Sequence, residues 1–327
     1  SLYSLAGHTV DGERSIAGEF AHLYLEDVQA FLRIIPGLED KQWRQIANFT
    51  AEGTVNNLSV SFRSAGDVIR VLGFDASFDD LGFRDTTSGA AIHGLQGTIT
   101  GISDAGALWL QSRDVGFRAE KLFRDTLQFD DLAGEVAWRY DYDNERLIIS
   151  GKSLNLSNDN LELKASLGLD LPKTGSSPVV DMEIDIQRGD LAAVRQYLPA
   201  TIMSPKAVAW LDRSLVSGEI TGGRFVLQGP LDRVPFDNGE GQLAASLPVS
   251  NAILDYNEAW TRIEQLDAEI VFNGRSMDIH GTKGKIRSAS LGEVHARIKD
   301  LTAPDLEIDG SVYGSLPVML AELASSP

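Results

Sequence analysis

Leu161-Glu162-Leu163-Lys164-Ala165-Ser166-Leu167-Gly168-Leu169-Asp170-Leu171 decides the fold. Every odd position is apolar and every even one is polar or glycine. In a pleated strand successive side chains point to opposite faces, so one face of this segment is greasy and the other wet. The device recurs on both sides of it. Val180, Met182, Ile184 and Ile186 alternate with Asp181, Glu183 and Asp185; Leu132, Val136, Trp138 and Tyr140 alternate with Glu135 and Arg139. Leu306 and Ile308 do the same against Glu307 and Asp309. Further strands are expected through 74–78, 95–100, 108–117, 223–227, 266–272, 277–279 and 294–298. Asp141-Tyr142-Asp143-Asn144 and Ser157-Asn158-Asp159-Asn160 are turn chemistry, and 31 glycines against 11 prolines suit many tight turns. The pattern predicts a mainly β, antiparallel protein with well over a dozen strands.

Helical periodicity is rare and short. Val28, Phe31, Leu32 and Ile35 form one stripe ending at Pro36, inside an N-terminal helical stretch of about 22–50. Asp190 is placed to cap Leu191 to Leu198, before Pro199, and Ser204-Pro205 to open a helix with the stripe Val208, Leu211, Leu215, closed by Gly218. Asp27 to Pro36 and Asp190 to Pro199 match in span and pattern; each precedes a Trp (Trp43, Trp210), then Gly, then strands. The chain therefore reads as a duplicated array, 1–188 and 189–327, with a truncated third copy expected from Ser315-Leu316-Pro317. Shorter echoes join Phe78-Asp79-Asp80-Leu81, Phe129-Asp130-Asp131-Leu132 and Ile263-Glu264-Gln265-Leu266. The acidic pairs in them read as turn and surface residues. So many strands sharing one greasy face leave three geometries open: a sandwich, a closed barrel, or a long curled trough.

Composition narrows function. Lys plus Arg total 29 against 47 for Asp plus Glu, a net charge of -18, which repels phosphate backbones and excludes nucleic acid as a partner. There is no cysteine, hence no disulfide and no sulfur-ligated metal, and no window of about 18 apolar residues that would span a bilayer. Both ends are expected to be internal to a longer protein. His8, His22, His93, His280 and His295 are scattered without zinc spacing, and His280 reads as a surface or turn residue. No nucleophile elbow, P-loop or dinucleotide fingerprint exists. Asp141-Tyr142-Asp143-Asn144-Glu145-Arg146 lacks the Gly and Glu of a calcium loop. No enzyme activity, metal or cofactor is expected. Trp43 and Trp210 are expected to pack on the sheet, and Trp109, Trp138 and Trp260 in the core.

The stretch Tyr197-Leu198-Pro199, Pro205-Lys206 through Trp210-Leu211-Asp212, and Gly229-Pro230-Leu231 through Pro235-Phe236, continued by Asp255-Tyr256, Trp260, Ile263, Leu266 and Ala268, resembles the YhdP family of AsmA-like, TamB-related proteins. The resemblance implies an internal piece of a periplasmic protein bridging inner and outer membranes, with the inner-membrane anchor elsewhere. It also implies a long curled β-groove carrying phospholipid acyl chains, so it selects the trough. The apolar faces would then line the groove through Val136, Trp138, Leu161, Leu163, Leu167, Leu169, Val180, Met182, Ile184, Phe225, Leu227, Ile270, Phe272, Leu306 and Ile308. Membrane proteins at the ends of the full-length protein would be its other partners. The competing expectation is an envelope scaffold with a filled β core and no lipid conduction. A glycan-binding or hydrolytic β protein would need aromatics clustered beside paired carboxylates, which this sequence does not provide.

Overall fold

Alternation becomes strands almost everywhere it occurs. A computed structural model describes residues 2–10, 13–27, 49–65, 68–257, 260–303 and 305–315. Its seventeen strands belong to one hydrogen-bonded sheet and pair antiparallel wherever register is defined. The segment 161–171 is β9 (Leu161–Pro172), and the Val180 series is β10 (Val179–Asp190). The chain divides into two compact units, Ser1–Asn158 with Leu167–Ser176, and Asp159–Ser166 with Ser177–Pro327.

The first unit contains β1 (Leu2–Val10), β2 (Glu13–Tyr24), β3 (Phe49–Ala65), β4 (Val68–Asp85), β5 (Ala91–Gly101), β6 (Ala105–Arg118), β7 (Leu127–Asp141) and β8 (Arg146–Asn158), each paired antiparallel with the next. Phe78, Leu81, Leu95, Leu110, Val115 and Leu132 form its buried cluster. These strands are long, and a row of bulges bends them. Asn57, Asp80, Asp114 and Ser153 hold left-handed φ of 50–56° inside strands, each followed by an apolar residue. Such bulges re-aim the side chains beyond them and increase local twist.

Three of these bulges, at Asp80, Asp114 and Ser153, face a glycine across the ladder that leaves no room for a Cβ. A Cβ on Gly53 (φ +108°) would lie 2.3 Å from the Asp80 carbonyl oxygen, and one on Gly94 (φ +79°) 2.5 Å from that of Asp114. Asp79-Asp80 is therefore not a turn. It sits mid-strand, where the extra residue lets Phe78 and Leu81 face the same core. At the bulged stretch of β5, between His93 and Gly97, the buried Ser112 hydroxyl of β6 replaces the ladder: it accepts from the Gln96 amide at 2.9 Å and donates to the Gln96 carbonyl at 3.1 Å.

The second unit runs through β10, β11 (Leu215–Ile220), β12 (Gly223–Pro230), β13 (Gln242–Leu254), β14 (Ile263–Asn273), β15 (Ser276–Ile286), β16 (Ala289–Ile298) and β17 (Leu306–Tyr313). β11 and β12 follow each other between the same neighbours, β10 and β13. Pro248, mid-strand in β13, sits where one gives way to the other, and its carbonyl accepts from the Thr221 amide at 3.0 Å. Bulges at Asn251 and Gln265 continue the device. The Asp267 carboxylate accepts from the Asn251 amide at 2.9 Å, and that bond holds its carboxyl below the ordinary value.

Asp190 caps as expected, accepting from the Ala192 amide at 2.9 Å; a 3-10 turn (Leu191–Ala193) leads into the four-residue α1 (Val194–Tyr197). Leu191 joins Ile220, Val249, Ala252, Leu266 and Ala268 in this unit's buried cluster. Ser204 caps α2 (Pro205–Ser214) by accepting from the Ala207 amide at 3.2 Å. The helix stops at Ser214, however, and Gly218 is not its cap. It lies inside β11 with φ +140°, where a Cβ would meet the Ala252 Cα at 2.8 Å. Of the first expected helix only 25–27 is helical among described residues. Val28 to Pro36, Trp43 and the chain from Leu316 lie outside them, so the first and third copies are not described there.

Candidate functional site

The register of the second unit turns its alternating strands into apolar rows that cross the sheet. One row reads Ile184, Phe225, Ala245, Phe272, Met277, Ile298 and Leu306, each directly opposite the next from β10 to β17. A second reads Leu247, Ile270, Ile279, Ala296 and Ile308. A shorter third reads Met182, Leu227 and Leu243. Neighbouring strands lie about 4.8 Å apart, so the first row, with six spacings, is roughly 29 Å long. Its floor is uninterrupted by any charged or hydrogen-bonding side chain.

Exposure separates these rows from the core beside them. Ile220, Val249 and Ala268, opposite one another on the same sheet face, are buried under Leu191 and its helical turn. In the first two rows only Met277 is buried; the others are half-buried, and Leu306 and Ile308 on the last strand are 49% and 56% exposed. On the far side the loop after β12 closes the face. Phe236, buried and in a left-handed conformation, lies over Gly229 of β12 and Gly241 just before β13: a Cβ on either would come within 2.7 Å of its ring. Arg275, in the β14–β15 turn, donates two bonds of 2.7 Å to Asp237 of that loop and keeps the Asp237 carboxyl below the usual carboxylate range. Between Leu191 and Phe236 the three rows form an apolar strip, walled at both strand ends.

Each expected groove residue can now be located. Met182, Ile184, Phe225, Leu227, Ile270, Phe272, Leu306 and Ile308 lie in these rows. Val180 does not share their exposure: it is 4% exposed, opposite the Gly229 that Phe236 covers, and is closed off. Leu161 and Leu163 alternate along β9, half-buried, in the part of that strand that belongs to the second unit. Val136, Trp138, Leu167 and Leu169 belong to the first unit. There Val136 stands between Leu108 and Gly151 in a row that also holds Ile99 and Ala76. Leu167 approaches the same Gly151. The Trp138 indole lies against Gly106, leaving no room for a Cβ there. Half-buried Ala245, Leu243, Leu247, Ile279, Ala296 and Ile298 complete the rows without having been singled out in the sequence. Alternation at Leu243-Ala244-Ala245-Ser246-Leu247 was the available signal, diluted by the small residues.

The opposite face is polar and cross-linked by side chains: Arg224 pairs with Glu183 at 2.6 Å, Gln228 donates to Asp181 at 2.7 Å, and Ser246 donates to Glu269 at 2.8 Å. Trp109 and Trp260 are not core residues. Trp109 is 45% exposed on β6, opposite Glu135 and Thr98, and Trp260 is 44% exposed. The Trp210 indole N–H donates to the Tyr256 carbonyl at 2.9 Å. Arg213 donates to the same oxygen at 3.3 Å, the Asp255 amide donates to the Ser214 carbonyl, and the rings of Tyr256 and Trp260 approach at 6.1 Å. The most distinctive motif residues thus build one helix–loop junction rather than the apolar floor. Among the described residues no three metal-ligating groups converge, and no helix is long and apolar enough to cross a membrane.

Comparison with known proteins follows the same direction. The family model "YhdP protein" matches residues 4–327. A curated relative, the "Intermembrane phospholipid transporter YhdP" of Escherichia coli (strain K12), is 23% identical over 286 residues, covering 86% of this chain and 22% of the relative. The chain therefore spans about a fifth of that protein's length. No solved structure matches.

Proposed function

The chain belongs to the YhdP family, and we propose that it is a periplasmic segment of a bridge-like lipid transfer protein whose apolar strip shelters phospholipid acyl chains between two membranes. The observation that carries this is the half-exposed state of the rows through Ile184 and Ile270, beside a core that the same strands bury completely. Each acyl methylene kept from water is worth about 0.8 kcal/mol, so a lipid crossing an aqueous gap unaided meets a barrier of many kcal/mol. A floor of Ile, Leu, Phe, Met and Ala removes most of that barrier. It offers no hydrogen bond to fix register, so a chain can slide along it, and the charged headgroup stays in water. The two helix-plus-strand segments, 1–188 and 189–327, would be successive copies of one groove element, and the remainder of a full-length protein would carry the inner-membrane anchor and the contacts with membrane proteins.

Native mass spectrometry of the chain purified from a bacterial periplasm tests the reading. Phospholipid retained by the folded chain, and lost when the rows are made polar, supports it; lipid-free protein under the same conditions counts against it. The buried clusters around Val115 and Val249 favour a second reading, an envelope scaffold with a filled core. It predicts a specific protein partner and no lipid at all.

A further inference from the structure

The loop after β12, which carries Phe236, is fastened on both sides. At its start the Leu231 amide donates to the Pro178 carbonyl at 2.9 Å, and the Asp232 amide to the Ser177 hydroxyl at 3.1 Å. At its far side Arg275 holds Asp237, and the Arg275 carbonyl accepts from the Leu301 amide at 2.8 Å. Beneath the Phe236 ring, Gly229 and Gly241 carry no side chain, and Val180, opposite Gly229, is 4% exposed. These three positions continue the pattern of Met182, Leu227 and Leu243 by two residues on each strand, as a fourth apolar row. Phe236 alone takes that row out of the strip.

Building on the strip as a shelter for acyl chains, we propose that Phe236 is a specificity-determining residue: it sets the strip's width for lipids with two acyl chains and excludes lipids with four. Rows on one strand face are two residues, about 6.7 Å, apart. With the fourth row hidden, the three open rows define two furrows. One, between the first and second rows, continues to β17. The other, between the first and third, is short and is bordered by Phe236. The two chains of one lipid lie abreast in them. A four-chain lipid cannot use the length of the strip instead. A bilayer's hydrocarbon core is about 30 Å thick, so one chain reaches about 15 Å, and two laid end to end leave no room in a row of roughly 29 Å for the headgroup joining them. Each methylene left in water weakens retention about fourfold, so two unsheltered chains exclude such a lipid.

The test equilibrates the 327-residue chain with mixed micelles holding equal amounts of phosphatidylglycerol and cardiolipin built from the same acyl chains, and reads bound lipid by native mass spectrometry. The natural chain should retain phosphatidylglycerol over cardiolipin by at least about tenfold. Phe236→Ala bares Val180 and both glycines and should narrow that preference severalfold. Arg275→Gln releases the loop from the β14–β15 turn without altering a buried group. It should move the ratio the same way by a smaller factor, and it stands in if circular dichroism shows Phe236→Ala unfolded. Cardiolipin held as well as phosphatidylglycerol by the natural chain, or a preference unchanged in the folded variants, overturns the proposal and leaves the shelter standing. A natural chain that binds neither lipid refutes the shelter and the proposal together.

Discussion

Replacing Ile184 by Asp places one carboxylate at the β10 end of the longest apolar row, opposite Phe225. Ile184 is only half-buried. Full burial of such a side chain is worth about 1.5–3 kcal/mol, so its removal forfeits roughly 1 kcal/mol, and the poorer strand propensity of Asp adds up to about 1 more. If the face is open the new carboxylate stays hydrated, and the loss of stability ends near 2 kcal/mol. The effect on a guest is larger. A carboxylate keeps about one strand spacing of floor wet, ~4.8 Å, and an acyl chain crossing it leaves roughly four methylenes in water. At about 0.8 kcal/mol each, affinity falls by ~3 kcal/mol, around two orders of magnitude. Val249→Asp is the internal standard, because Val249 is 5% exposed and its carboxylate has no access to water without opening the core. Urea unfolding and lipid retention by native mass spectrometry are measured on both variants. Ile184→Asp should remain folded and lose its lipid; Val249→Asp should lose several kcal/mol of stability. If the two variants unfold alike, the rows are core and the reasoning fails.

Two further perturbations probe the bulges that bend the strands. Ser112→Ala strands the amide and carbonyl of half-buried Gln96, and should cost about 1–3 kcal/mol in urea unfolding; a loss near zero would mean that water replaces the hydroxyl freely. Asp267 is an acid-stability probe. Because the Asn251 amide lowers its folded pKa from 3.8, its contribution is fully present above that pH and is lost as pH falls through the lower folded value. The stability gap between the natural chain and Asp267→Asn should therefore be constant at neutral pH and shrink in acid below about pH 3.8; a gap that widens in acid would contradict the assignment.

Period-2 alternation revealed strands wherever both faces were chemically distinct, as in β9, β10 and β17. It failed where side chains carry no contrast. β13 contains Ala244, Ala245, Pro248 and Ala252, and its membership in the sheet comes from its pairing with β11, β12 and β14 rather than from contrast between its own faces. The bulges were visible only as the recurring polar-polar-apolar triplets at Asp79-Asp80-Leu81 and Glu264-Gln265-Leu266. Local chemistry cannot tell a turn from a mid-strand left-handed residue; the opposing glycine, Gly53 for Asp80, makes the difference and is distant in sequence. The same limit governs the site. Ile184 and Val180 are equivalent by pattern, yet one stands on the strip and the other is closed beneath the Phe236 loop. Trp260 reads as a core residue yet is 44% exposed, and the Tyr256 carbonyl that takes the Trp210 N–H leaves no mark in spacing.

The most direct measurement is photo-crosslinking in cells, with a photoreactive residue placed in turn at Ile184, Phe225 and Ile270, at buried Val249, and at Trp109 on the polar face. Adducts with phospholipid at the first three positions, and at neither of the others, are the expected result. Crosslinks at Ile184, Phe225 and Ile270 that join only the protein to itself would contradict an apolar strip open to acyl chains.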